Sequence, residues 1–146
     1  MTAPRRAPRY TGVRTFAGLP HAALADARAR EGAPAAQAPG RGSADGGAAR
    51  AAAAVVGVPF DTATSWRAGA RFAPEAIRSA SALLRPWHPL HGVEVLRAGA
   101  VVDAGDVAIT PGNARRTVEQ IAEALSALCR SGTIALVLGG EGGGAR

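Results

Sequence analysis

Three short apolar runs, each closed by a turn residue or an acid, constrain this chain more than anything else in it. Residues 53–59 are AAVVGVP, residues 100–108 are AVVDAGDVA, and residues 133–140 are TIALVLGG. Short, β-branched runs bounded by glycine, proline or aspartate are the pattern of buried strands. Two segments of helical period lie between them. PEAIRSASALLRP (74–86) places Ile77, Ala80, Ser81 and Leu84 on one face, with Pro74 suited to the first helical position and Pro86 as the stop. After TPGN (110–113), Val118, Ile121, Ala122, Leu125, Leu128 and Cys129 recur at three- and four-residue spacing, and Gly132 falls at the C-terminal cap. Strand, helix, strand, helix, strand predicts an α/β fold with a parallel sheet and right-handed crossovers. About three strands leave the sheet edges open and one face thinly covered, so the expected architecture is an incomplete three-layer α/β/α unit that should be molten, aggregated or oligomeric by itself.

The first 52 residues lack that patterning. MTAPRRAPRYTGVRTFAGLP (1–20) is rich in Pro and Arg, with Tyr10, Val13, Phe16 and Leu19 as scattered anchors. It is expected to be an extended arm that docks on the body. Residues 21–52 are Ala, Gly, Arg and Pro with almost no bulky apolar side chain, too little to offset ordering entropy, so a low-complexity, disordered stretch is expected. The 47% hydrophobic fraction overstates the core, because much of it is alanine and only 4% of residues are aromatic.

Charge and cysteine usage exclude several classes. All 17 basic residues are arginine, and the net charge of +6 is concentrated in residues 1–50, where eight Arg face three acids. A basic excess in a poorly patterned region without interleaved aromatics suits a solvated tail, and no nucleic-acid partner is expected. No apolar run approaches the roughly 20 residues of a membrane helix, and MTAPRRAPRY is not followed by an apolar signal core. Cys129 is the single cysteine, which fits a reducing compartment. A cytoplasmic protein with no membrane partner is the expectation.

Four constellations could carry chemistry. His88 and His91 in HPLH form a histidine pair, but Pro89 between them implies an irregular loop and two solvent-facing rings. Asp103 and Asp106 in DAGD close the second strand, where two carboxylates could hold a cation. They could equally cap the next turn and hydrogen-bond the neighbouring FDTATS loop, and the structural role is expected. GGEGGG (139–144) follows a strand, but no helix N-terminus follows the glycines to aim amides at a phosphate. Cys129 sits on the apolar helix face and is expected to be buried and inert.

Read together, these segments resemble the agmatinase branch of the ureohydrolase (arginase) family. PRYTGVRTFAGLP is similar to the family's N-terminal arm, and VVGVPFDTATSWRAGARFAPEAIRSASALLRPW to the long block after its first strand. VVDAGDVAITPGN and ALVLGG match the next two strand ends in order. The likeness covers residues 8–20 and 54–140, the N-terminal half of a full-length member, with residues 53–140 as a partial ureohydrolase-like domain and 141–146 as a Gly-rich tail. It implies an arginase-like sheet and Mn-dependent hydrolysis of a guanidino small molecule, for example agmatine to putrescine and urea. Two Mn ions would activate a bridging water.

The same resemblance exposes departures. The family's third strand ends in GGDH, whose His ligates metal; here Glu141 replaces the Asp and Gly142 stands at the His position. The family's further ligands, a DAHxD block and a DxD pair, do not occur in these 146 residues. No catalytic or metal-ligating residue is therefore assigned, and Mn is not expected to bind this chain. Ala63, Ala68 and Ala73 replace residues usually Gly, Pro and Gly, which adds strain wherever a positive φ is required. Two expectations follow: a truncated, catalytically dead ureohydrolase piece serving at most assembly or regulation, or half of a split enzyme completed by a second chain. Homo-oligomers or a complementary C-terminal half are the partners these imply.

Overall fold

A computed structural model of the chain describes residues 11–24, 51–62, 64, 67–85, 87–94 and 101–139. Its elements are strand β1 (Ala53–Val58), helix α1 (Ala73–Ser81), a hairpin of β2 (Trp87–His88) and β3 (Val93–Glu94), strand β4 (Val101–Asp106), helix α2 (Ala114–Arg130) and strand β5 (Ile134–Gly139). The three long strands coincide with the three apolar runs. They form one parallel sheet in the order β4-β1-β5. β1 is central and buried from Ala54 to Val58, which is why its sequence is apolar without alternation.

The helices lie on opposite faces. Ala54, Val56 and Val58 of β1 pack with Ala104, Phe60 and Val107 against Ala124 and Leu128 of α2, and Ile121, Leu125 and Ala135 close the margins. The other face carries Val55 and Gly57. There α1 comes so near that a Cβ on Gly57 would meet the Pro74 Cβ at 2.9 Å and the Asp106 Oδ1 at 1.8 Å. Gly57 is thus required by close approach. The β1–β4 register runs Val55↔Asp103 and then Gly57↔Asp106, so β4 holds one extra residue. Gly105, at φ 73°, absorbs that bulge.

Both helices are rotated from the faces expected of them. In α2 the buried residues are Thr117, Ala124 and Leu128, whereas Val118 is 47% exposed and Cys129 is exposed rather than buried. Thr117 is the reason. Its hydroxyl accepts from the Thr110 amide and lies within donating distance of the Thr110 and Asn113 carbonyls, turning this side of the helix inward. The ends follow their capping residues: the Asn113 side chain accepts from the Arg116 amide, and Gly132, at φ 73°, donates to the Cys129 carbonyl. α1 ends at Ser81 in i+3 turns, not at Pro86, which lies outside the described residues. It buries Pro74, Arg78 and Ser81 and leaves Ile77 37% exposed, and Leu84, in the turn beyond it, is 47% exposed. The loop expected around the histidines contains the β2–β3 hairpin, turned by Gly92 at φ 60°.

Residues 11–24 dock along β4. A tight turn at Phe16–Gly18 buries Ala17, and Leu19 is buried beyond it. His21 then pairs in parallel with Asp103: the Asp103 amide donates to the Pro20 carbonyl at 2.9 Å, and the Ala22 amide donates to the Asp103 carbonyl at 3.0 Å. The arm expected over 1–20 thus continues past Pro20, with residues 1–10 outside the described residues. Most of the low-complexity stretch, residues 25–50, also lies outside them. Among the described residues no helix is long and apolar enough to cross a membrane.

The rotation of α2 is testable. Leu128→Ala should cost about 2–5 kcal/mol, while Val118→Ala should stay within about 1 kcal/mol, as expected of a half-exposed site. Native-state hydrogen exchange of the β1 amides reads both, and equal costs would show that the helix faces the sheet with the 118/122/125/129 stripe.

Candidate functional site

The loops leaving β1 and β4 run to helices on opposite faces of the sheet. Such divergence opens a crevice at the C-terminal ends of the two strands, where ligands of open α/β sheets bind. Asp106 and the loop after β1 lie at those ends; Asp103 sits in mid-strand opposite Val55, and Arg78 from α1 reaches both aspartates.

Arg78 fills the space between the carboxylates. Its Nε donates to Asp103 Oδ2 at 2.8 Å and its Nη2 to Asp103 Oδ1 at 3.0 Å, a two-point contact on one carboxylate. Nη1 donates to Asp106 Oδ1 at 2.6 Å, and Nη2 also reaches the Gly105 carbonyl at 2.9 Å. Asp103 receives two further donors, the Phe16 amide on Oδ2 at 2.7 Å and the Gly105 amide on Oδ1 at 2.9 Å. Each of its oxygens therefore carries two hydrogen bonds, which uses the acceptor capacity of an ionised carboxylate. Arg78 and Asp103 are buried; the Asp106 side chain is 44% exposed. Ser81 completes the junction, accepting from the Ala17 amide and donating to the Arg78 carbonyl.

Burial alone would push the Asp103 carboxyl up. The Arg78 guanidinium, followed by the Phe16 and Gly105 amides, outweighs it and holds Asp103 below the usual carboxylate range. Burial likewise works against the Arg78 charge, but Asp103 and then Asp106 overcome it and raise Arg78 above its ordinary value. The structural role expected for the two aspartates is correct, with a different partner: Arg78 and the arm, not the FDTATS loop.

That loop is organised by its own aspartate. Asp61 is buried; its Oδ2 accepts from the Gly69 and Arg71 amides at 2.7 and 3.2 Å, and its Oδ1 lies 2.6 Å from Arg71 Nη2. Burial raises the Asp61 carboxyl, and these amides with the Arg71 charge bring it net below its ordinary value. Of the three alanines flagged in the sequence, the two described, Ala68 and Ala73, carry no positive-φ strain. Ala73 has φ −59°, Ala68 is not in the positive-φ region, and Ala63 lies outside the described residues; the left-handed residue is Arg67, at φ 44°.

The histidine pair is brought together without converging. The His88 and His91 rings lie 4.7 Å apart between centroids and tilted by 32°, with the His91 amide directed at His88 Nδ1 at 3.4 Å. Among the described residues no three His, Cys, Asp or Glu side chains are grouped to hold a metal ion. With Asp103 saturated and Asp106 facing Arg78, the described residues do not fit a binuclear manganese centre. Glu141 and Gly142 lie outside the described residues. Sequence reasoning placed Ser81 on the inward face of the first helix but missed Arg78, Asp61 and Thr117, because each falls where periodicity assigns a surface or a loop. The one available signal was a single arginine on the helix that must cross beside DAGD.

A parallel, doubly wound α/β unit with its crevice between β1 and β4 is thus the class defined by the fold and this site. The sequence model of the arginase family matches residues 51–143, and the chain belongs to that family. It is 39% identical over 89 residues to the mitochondrial agmatinase of Gallus gallus, covering 61% of this chain and 26% of the relative. It is 38% identical over 93 residues to the proclavaminate amidinohydrolase of Streptomyces clavuligerus, covering 60% and 28%. The solved structure of the latter superposes with a TM-score of 0.67 at 30% identity, covering 90% of this chain and 37% of that one. A hypothetical agmatinase from Burkholderia thailandensis superposes at 0.64 with 26% identity, covering 88% and 34%. This chain therefore spans between a quarter and two fifths of the length of these relatives.

The Arg78 clamp predicts a pH signature. A carboxyl held below its ordinary value of 3.8 stabilises the fold above that value, and the contribution is lost as pH falls through the folded pKa. Stability should be level from neutral pH down to about 5 and fall below about 4. Arg78→Met should cost about 3–5 kcal/mol at neutral pH by leaving buried Asp103 without its cation. It should also invert the acid limb, because burial then dominates at Asp103 and protonation relieves it. Urea titrations across pH 3–7 check both, and an unchanged acid limb in the variant would contradict the clamp.

Proposed function

We propose that these 146 residues supply part of an agmatinase-type ureohydrolase, a hydrolase of guanidino small molecules, and that they do not carry out the reaction by themselves. The family reaction, Mn-dependent release of urea from a guanidino group, is the activity of the completed protein. Membership of the arginase family and relatives named agmatinase and proclavaminate amidinohydrolase support the substrate class. A reducing, cytoplasmic setting is in keeping with a single cysteine.

One observation carries the reading of inactivity. The two carboxylates of β4 are neutralised by Arg78, and every oxygen lone pair of Asp103 is committed to a protein donor. Two metals sharing a bridging water need several unpaired carboxylates and imidazoles around one point. His88 and His91 lie tilted against each other on a hairpin and do not supply them. Glycine at position 142 offers no side chain where the resemblance places a histidine ligand. The role left to this part is that of a scaffold, positioning the crevice while ligands come from elsewhere. A purely non-catalytic assembly or regulatory role is the alternative, in keeping with a buried Arg78 whose donors are taken up by Asp103, Asp106 and Gly105.

Purified chain, incubated with Mn and agmatine, arginine or guanidinobutyrate, should release no urea above the metal-only control. The double substitution Glu141→Asp with Gly142→His should not restore it, since one added ligand does not build a two-metal site. Metal-dependent urea release by the unmodified chain alone would refute the proposal.

A further inference from the structure

Most of what holds residues 11–24 against the body converges on one residue, Asp103. Its Oδ2 accepts from the Phe16 amide at 2.7 Å, its amide donates to the Pro20 carbonyl at 2.9 Å, and its carbonyl accepts from the Ala22 amide at 3.0 Å. The His21 Nδ1 lies 3.0 Å from the same carbonyl oxygen. On α1, Ser81 Oγ accepts from the Ala17 amide and Ser79 Oγ from the Arg14 guanidinium. Apolar burial is small by comparison. Only Ala17 and Leu19 are buried in this segment, Leu24 packs at the margin of the core, and Val13 is 83% exposed. Ala17 also sits at φ 51°, ψ 23°, a left-handed conformation that an L-residue adopts at a cost. A segment with few buried apolar groups, backbone strain and a single isolated bridge opens at a lower free energy than the sheet beside it.

We propose that residues 11–24 form a strap that opens and closes as one unit while the sheet stays folded, with Asp103 as its latch and the outer edge of β4 as what it covers. The latch does not depend on the strap for its own position. Arg78 holds both Asp103 oxygens through Nε and Nη2, the Gly105 amide holds Oδ1, and none of these bonds passes through residues 11–24. Opening removes one donor from Oδ2 and leaves the carboxylate aimed at the place to which the Phe16 amide returns. Arg78 is thus a positioning residue for the latch. What opening uncovers is the amide and carbonyl of Asp103 on an unpaired strand edge, the arrangement that accepts another extended chain. Closed, the strap is the only cover of that edge among the described residues.

Native-state hydrogen exchange on the full chain, followed by NMR across a series of low urea concentrations, tests the strap. The Phe16, Ala17 and Ala22 amides should exchange through one common opening with a shallow urea dependence, because that opening exposes little surface. The Asp103 amide should join them although it lies on β4, since its acceptor is the Pro20 carbonyl. The Val107 amide donates to the Gly57 carbonyl. It should follow the sheet, with a steep urea dependence and exchange about tenfold or more slower. Leu19→Ala should hasten the strap amides about tenfold or more. Val56→Ala, within β1, should hasten Val107 and leave the strap amides unchanged, because the core is intact when the strap is open. Strap amides that share the rate and urea slope of Val107 would show a segment that opens only with the whole fold. Exchange at the rate of an unstructured chain, or unequal slopes among the three amides, would likewise overturn the proposal. An Asp103 amide that follows Val107 would remove Asp103 as the latch and the proposal with it.

Discussion

The buried guanidinium of Arg78 is the contact on which the other parts of this molecule converge. It joins α1 to β4 through Asp103 and Asp106, and Asp103 in turn receives the Phe16 amide of the arm. A charge taken out of water on this scale is tolerated only when paired and hydrogen-bonded on every side, and the junction meets that condition. The same requirement fixes the rotation of α1. Ile77 would gain more from burial than Arg78, yet two carboxylates on the facing strand draw the arginine inward and leave the isoleucine at the surface.

The bulge in β4 belongs to the same arrangement. An extra residue at Gly105 brings Asp106 opposite Gly57, and the absence of a Cβ there leaves room for the Asp106 carboxylate and for Pro74. Backbone irregularity, a glycine without a side chain and a buried ion pair are three aspects of one solution to packing α1 over the β1–β4 boundary. The fold is that of the arginase family, and within it Arg78 ties α1 and the arm to β4.

The sheet is correspondingly one-sided. On the β4 flank the arm supplies backbone hydrogen bonds, two buried apolar residues and the amides that saturate Asp103 and Ser81. On the β5 flank the strand is apolar and its outward amides meet no described partner.

Strand positions, the parallel α/β class, the caps of α2 and the family resemblance were all legible in the amino-acid order, because they rest on local period and on turn residues such as Gly132 and Asn113. DAGD was legible as a strand end bearing two acids in a structural role. The rotation of both helices, the exposure of Cys129, the hairpin at the histidines and the partner of Asp103 were not. The rotations follow from polar side chains whose partners periodicity does not name: Arg78 with Asp103, 25 residues on, and Thr117 with Thr110. Hydrophobic period ranks side chains by their dislike of water. It cannot register that a buried charge surrounded by four donors and acceptors is as settled as a leucine, and that information exists only in three dimensions.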